Sequence, residues 1–156
     1  MATDLTGAVT RDDIDGTGLR IGIVRSRFNT EVGEALLNSC LEQLRVSGVA
    51  ESDITIKNVP GALESPLMLK KMALSEEFDG LIALGCIIRG DTYHFEIVAN
   101  ESARCISDLQ LETGIPVANA ILTTENQVQA EQRMFIKGTE AAQVVLEMIH
   151  ELKSIA

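Results

Sequence analysis

The stretch that most restricts how this chain can fold is GLIALGCIIRGDTYHFEIVAN, residues 80–100. Its first part, Leu81 to Ile88, is a run of apolar and small residues with no polar alternation. A strand with one wet face alternates, so an unbroken run points to a strand covered on both faces, as in a parallel sheet. Arg89-Gly90 close the run. Asp91 and Thr92, both good N-cap residues, then open a helical pattern that places His94 in its first turn. Helix-opening amides at the carboxyl end of a parallel strand form an anion site, and a titratable imidazole would stand beside it. The alternative for His94 is a structural first-turn histidine.

The rest of the chain repeats the strand-then-helix order. Leu19 to Val24 is a β-branched run that reads as the first strand, followed by a helix capped by Asn29 or Thr30 and stopped at Gly48. Ile54 to Val59 reads as the second strand, ended by Pro60-Gly61. Pro66 is tolerated only in a first helical turn, so the next helix starts near Glu64-Ser65. The helix from Thr92 ends near Gly114, and Ile115-Pro116-Val117 start a fourth strand reaching Leu122. Thr124-Glu125-Asn126-Gln127 fits a capping box for a short helix ending at Arg133 to Lys137. Gly138 is expected to break the chain before a final helix on Ala141, Val145, Met148, Ile149 and Leu152, with His150 at its surface. Alternation of this kind means a parallel sheet with right-handed crossovers and helices on both faces, a three-layer α/β sandwich. Four strands are few for such a sheet, which leaves an edge or face for another subunit. Residues 1–18 read as a mobile arm that may lie along a neighbour, and 19–156 as a single domain.

Composition narrows the function. The chain has 156 residues, 46% hydrophobic and 23% charged, with no Trp, one Tyr and four Phe. The core must therefore be aliphatic, and an exposed aromatic ring calls for a reason. A net charge of −10 argues against nucleic acid or an anionic membrane as general partners, so any phosphate site must be built locally. Cys40, Cys86 and Cys105 have no metal-ligand spacing and read as buried free thiols. With no basic-then-apolar leader and no apolar span of transmembrane length, the expected compartment is the cytoplasm. The residues just after the strands include Phe28 and Glu64. Phe28 is either a hydrophobic staple at a helix start or a ring on which a planar ligand stacks. Glu64 is either a partner for the helix dipole or an acceptor for a polyol.

Four segments in this order resemble the lumazine synthase family: RFN at 27–29, VPGALESP at 59–66, ALGCIIRGDTYHFEIVANES at 83–102 and GIPVANAILTTEN at 114–126. The resemblance runs from Leu19 to the C-terminus. It implies a flavodoxin-like fold and sites between adjacent subunits of a pentamer. The implied reaction condenses 5-amino-6-(D-ribitylamino)uracil with 3,4-dihydroxy-2-butanone 4-phosphate to 6,7-dimethyl-8-ribityllumazine, with no metal or redox cofactor. By the same resemblance His94 shuttles protons, and Phe28 stacks on the pyrimidine, with Asn29 nearby. Ala62 and Glu64 meet the ribityl chain, Gly61, Leu63 and Asn119 are further substrate-binding positions, and Ile87 and Ile88 meet the pyrimidine through their backbone. Gly90, Asp91, Thr92 and Arg133 hold the phosphate, and Lys137 adds charge. Implied partners are the two substrates, further copies of the chain in a pentamer or multiple of pentamers, and riboflavin synthase.

This sequence departs from the family pattern at three places. Many relatives carry an aromatic residue at Leu63 and phenylalanine at Asn119, on the face a neighbour offers to the pyrimidine. About four residues are missing between Arg133 and Lys137, which argues against a sixty-subunit shell. Two other readings remain: a flavin- or lumazine-binding shell protein of the same fold, and an unrelated phosphate or nucleotide binder. The lack of a GxGxxG or P-loop pattern speaks against the second.

Overall fold

The computed structural model describes residues 10–155. β1 (Ile21–Ser26), β2 (Ile54–Val59), β3 (Gly80–Ile88) and β4 (Val117–Thr124) form one parallel sheet in the order β2-β1-β3-β4. The helices are α1 (Thr30–Val46), α2 (Ser65–Leu74), α3 (His94–Thr113) and α4 (Gln127–Lys153). The expected three-layer α/β architecture is what forms.

β3 lies at the centre and is buried from Gly80 to Ile87. Its side chains divide by strand period. Ile82, Leu84 and Cys86 face α1 and α4, while Leu81, Ala83 and Ile87 face α2 and α3. Both cores are aliphatic, as an aromatic-poor composition requires, and no aromatic side chain is among the buried residues. Each fully buried Leu, Ile or Val contributes roughly 1.5–3 kcal/mol, which is what drives both helix layers onto the sheet.

Local punctuation falls close to expectation. α1 stops at Ser47-Gly48, where Gly48 has φ +97°, and α3 stops at Gly114, φ +72°. Both are left-handed positions that suit glycine. Pro66 sits in the first turn of α2. β1 and β4 each run two residues later than expected, because Arg25 and Ser26 still pair with β2 and Thr124 still pairs with Ile88.

Four local expectations are corrected. Thr92 does not cap α3; the helix opens at His94, after Tyr93, with no side-chain cap. The cap of α4 is Asn126, whose Oδ1 accepts from the Gln129 amide at 2.9 Å, while Thr124 Oγ1 donates to the Asn126 carbonyl. Gly138 does not break the chain, and α4 is continuous for 27 residues. The reason lies in packing: a Cβ at Gly138 would stand 2.0 Å from Ser39 Oγ and 2.3 Å from the Leu36 carbonyl oxygen. Glycine there lets α4 lie close against α1. Cys105 is half-buried rather than buried.

Of the arm drawn at 1–18, residues 1–9 lie outside the described residues. Further on, the Gly16 amide donates to the Ser47 carbonyl at 2.7 Å, and exposed His150 donates from Nε2 to the Asp15 carbonyl at 2.6 Å. Among the described residues no helix is long and apolar enough to cross a membrane.

Candidate active site

The strand order reverses at β1: the chain moves outward to β2, then crosses back to β3 and on to β4. The crossovers on either side of β1 and β3 diverge, which leaves a crevice beyond their carboxyl ends. A cleft of about 350 Å³ lies there. Its walls are Phe28 and Asn29 after β1, the turn Gly61 to Glu64 after β2, Cys86 to Ile88 at the end of β3, and Gly90, Thr92, His94, Phe95 and Val98 at the start of α3.

Each wall has a local cause. Asn29 adopts a left-handed conformation, φ 57° and ψ 57°, as asparagine does more readily than most residues. Its side chain caps nothing; Nδ2 donates to the Cys86 carbonyl at 2.9 Å and ties the β1–α1 turn to β3. The Phe28 ring is 71% exposed, so it does not serve as a buried staple. A Cβ at Gly61 would come within 3.2 Å of that ring, so glycine gives Phe28 its room. Glu64 and His94 are exposed, and neither side chain has a hydrogen-bond or ion-pair partner among the described residues. The amides of Gly90, Asp91 and Thr92 likewise meet no acceptor among the described residues. Cys86 belongs to the wall but not to the chemistry: burial pushes its thiol up to about 11, with the neighbouring Thr124 side chain opposing the rise, so it stays protonated.

The lining of this cleft contains no lysine or arginine. Nearby Arg89 is engaged elsewhere, paired with Glu96 and, from Nε at 2.8 Å, with Glu125.

Asn119, Arg133 and Lys137 line a second cleft of about 360 Å³ between β4 and α4, which shares no lining residue with the first. Arg133 Nη1 donates to the Gln129 carbonyl at 2.9 Å, and Lys137 Nζ pairs with Glu140 at 2.9 Å. The other oxygen of Glu140 is buried without a partner among the described residues. Asn119 Oδ1 accepts from the Ile121 amide at 3.0 Å. One chain therefore gathers Phe28, Asn29, Gly61, Ala62, Leu63, Glu64, Ile87, Ile88, Gly90, Thr92 and His94 at the first cleft, and holds Asn119, Arg133 and Lys137 apart from them. Asp91 is exposed and lines neither cleft.

Cys86, Phe95 and Val98 were missed as lining residues, as was Glu140 in the second cleft. Phe95 and Val98 fit the apolar face of α3 equally well, so periodicity alone does not separate wall from core. Among the described residues no group of three or more His, Cys, Asp or Glu side chains could hold a metal ion.

A four-stranded parallel sheet with helices on both faces and a crevice at its point of reversal defines a flavodoxin-like α/β protein. The family model for 6,7-dimethyl-8-ribityllumazine synthase matches residues 18–153, and the chain belongs to that family. It is similar to the 6,7-dimethyl-8-ribityllumazine synthase of Methylobacillus flagellatus, 65% identical over 143 residues that cover 92% of this chain and 96% of the relative. The protein of that name from Paraburkholderia phytofirmans is 57% identical over 136 residues, 87% of this chain and 81% of its own. The one from Nitrosomonas europaea is 56% identical over 136 residues, 87% and 83% respectively.

Proposed function

We propose that this chain condenses 5-amino-6-(D-ribitylamino)uracil with 3,4-dihydroxy-2-butanone 4-phosphate to give 6,7-dimethyl-8-ribityllumazine, phosphate and water, in the cytoplasm. The observation that carries the mechanism is the division of charge between the clefts. The first has the imidazole, the open amides, the exposed ring and the carboxylate, but no cation in its walls; the second has Arg133 and Lys137. A phosphate dianion in a protein of net charge −10 needs local cations, so a working site joins the first cleft of one subunit to the second cleft of its neighbour. The protein then works as a closed ring of identical subunits, a pentamer or a multiple of it, and riboflavin synthase is the natural consumer of its product.

In that site Phe28 stacks on the pyrimidine, and the backbone of Ile87 and Ile88 reads the ring edge. Glu64 accepts from the ribityl hydroxyls, with Asn29, Gly61, Ala62 and Leu63 shaping the channel. The amides of Gly90, Asp91 and Thr92 cradle the phosphate, and the neighbour's α4 supplies Arg133 and Lys137. Asn119 meets the heterocycle from the neighbour's β4. The amine of one substrate adds to the carbonyl of the other and loses water to form an imine. Loss of a proton then expels phosphate, and ring closure ends in a second dehydration. Each step moves a proton, and His94 is the group placed to carry it. Much of the remaining acceleration comes from holding two small molecules in register.

The direct test is an absorbance assay for lumazine formation from both substrates. Product from the native protein, with a raised KM for the phosphate ester in Arg133→Ala, supports the reaction and its anion site. No product, with lumazine still binding, would mean a carrier or shell protein of this fold.

A further inference from the structure

Arg89 lies in the chain between Ile88 and Gly90, two residues of the first cleft, and takes no part in the proposed reaction. Arg89 is the first residue after β3, and its amide donates to the Thr124 carbonyl at 2.9 Å, extending the β3–β4 ladder by one rung. Its guanidinium meets three groups at once. Nη1 pairs with Glu96 in the first turn of α3; Nε pairs with Glu125 Oε2 at 2.8 Å, at the residue before the α4 cap; and the guanidinium carbon lies 4.4 Å from the centre of the Phe95 ring. Glu96 and Phe95 directly follow His94, and Phe95 lines the cleft beside it. A planar fork with several fixed donors and a flat face can make all three contacts together; a point-charge ammonium cannot.

We propose that Arg89 is a positioning residue for this site: it clamps the first turn of α3, and with it His94, to the end of β4. Two observations separate this from a role as a phosphate ligand. The guanidinium already faces two carboxylates, so the group of three carries net negative charge and offers no anion a free cation. The α3 start has no side-chain cap of its own, and Tyr93 as N-cap supplies none, so the geometry of that turn depends on contacts from outside the helix. At the opening of α3 the Glu96 amide also donates to the Tyr93 carbonyl, at 3.0 Å.

The kinetic arm of the test rests on the proposed reaction; a second arm does not. In hydrogen exchange on the substrate-free assembly, Arg89→Ala and Arg89→Met should speed exchange of the amides of Glu96 to Val98 by tenfold or more, leaving β1 and β3 unchanged. In steady state both variants should lose kcat by on the order of 10- to 100-fold, as expected for a misplaced reacting group, with KM for the phosphate ester changed less than about twofold. Arg89→Lys should restore little of either. Unchanged exchange at the start of α3, or exchange raised evenly over the whole chain, would overturn the clamp. So would a loss confined to KM for the ester, which marks a phosphate ligand, or full rescue by lysine, which shows that charge alone suffices. If the native protein makes no product, the proposed reaction fails while the exchange arm still decides the clamp.

Discussion

At the scale of single residues, the site depends on groups left without partners. The Glu64 and His94 side chains and the 90–92 amides have none within the described chain, whereas nearby Arg89 is paired twice. Unpaired polar groups gathered in a cleft are what a ligand with complementary groups can use. His94→Ala should lower kcat by roughly 10²-fold, the lower end of what a positioned acid–base group supplies, because orientation survives the change. Single-turnover kinetics with both substrates saturating reads this directly; loss of all detectable turnover would mean that the imidazole does more than move protons. Thiol chemistry gives an independent check on the walls. Burial pushes Cys40 up to about 12 and Cys86 up to about 11, so neither should react with a thiol-specific reagent in the native protein at neutral pH, while half-buried Cys105 should. Mass mapping after brief labelling tests it, and modification of Cys86 before Cys105 would contradict the packing of the cleft wall.

At the scale of elements, what the sequence makes legible is what short-range chemistry decides. The unbroken run at 81–88 marks the central strand; Gly48 and Gly114 end helices because the left-handed turn suits glycine; and Pro66 dates the start of α2 to within a residue. The same reasoning misread Gly138, because a helix-interior glycine and a helix-breaking glycine look alike until the partner helix is known. Its role is tertiary, and the contacts with Leu36 and Ser39 come from a segment about a hundred residues earlier. Likewise Thr124 and Asn126 are both acceptable caps, and the extra length of β4 decides for Asn126. The pairing of Arg133 with the 90–92 loop came only from the family resemblance, because within one chain Arg133 lines the second cleft while Gly90 and Thr92 line the first. Helix propensity favours Gly138→Ala by about 1 kcal/mol, but the added methyl would overlap backbone and side chain of α1, and overpacking typically costs about 1–3 kcal/mol. The net effect should be destabilising in denaturant unfolding. A stabilised variant would show that α1 and α4 can separate without loss.

At the scale of the whole molecule, the two ends of the sheet have different tasks. The carboxyl end carries the cleft, and the amino end is fastened by Asp79, which accepts from the Arg20 amide at 2.8 Å and from Lys153 Nζ at 3.2 Å, joining β1, the start of β3 and the end of α4. Burial by itself would raise the Asp79 carboxyl, but the Arg20 amide and the Lys153 and Arg20 charges outweigh it and hold it below its ordinary value. A depressed carboxyl stabilises the fold above its unfolded pKa, near 3.9, and loses that contribution as pH falls through the lower folded value. Asp79→Asn should therefore weaken the protein by about 2 kcal/mol at pH 7, with the gap to the native protein narrowing below about pH 4. Equal gaps at both pH values in urea unfolding would remove the charge from the explanation. The central claim, however, is that catalysis needs two copies of the chain, one supplying His94 and the other Arg133. His94→Ala and Arg133→Ala subunits, each nearly inactive alone when the phosphate ester is held far below the KM of the arginine variant, can be unfolded together and reassembled at equal ratio. If each site is built across a subunit boundary, random mixing should return about one quarter of native activity, since half of the subunits carry each intact group. If the mixture is no more active than the two separate variants, both groups act within one chain, and the shared site is wrong.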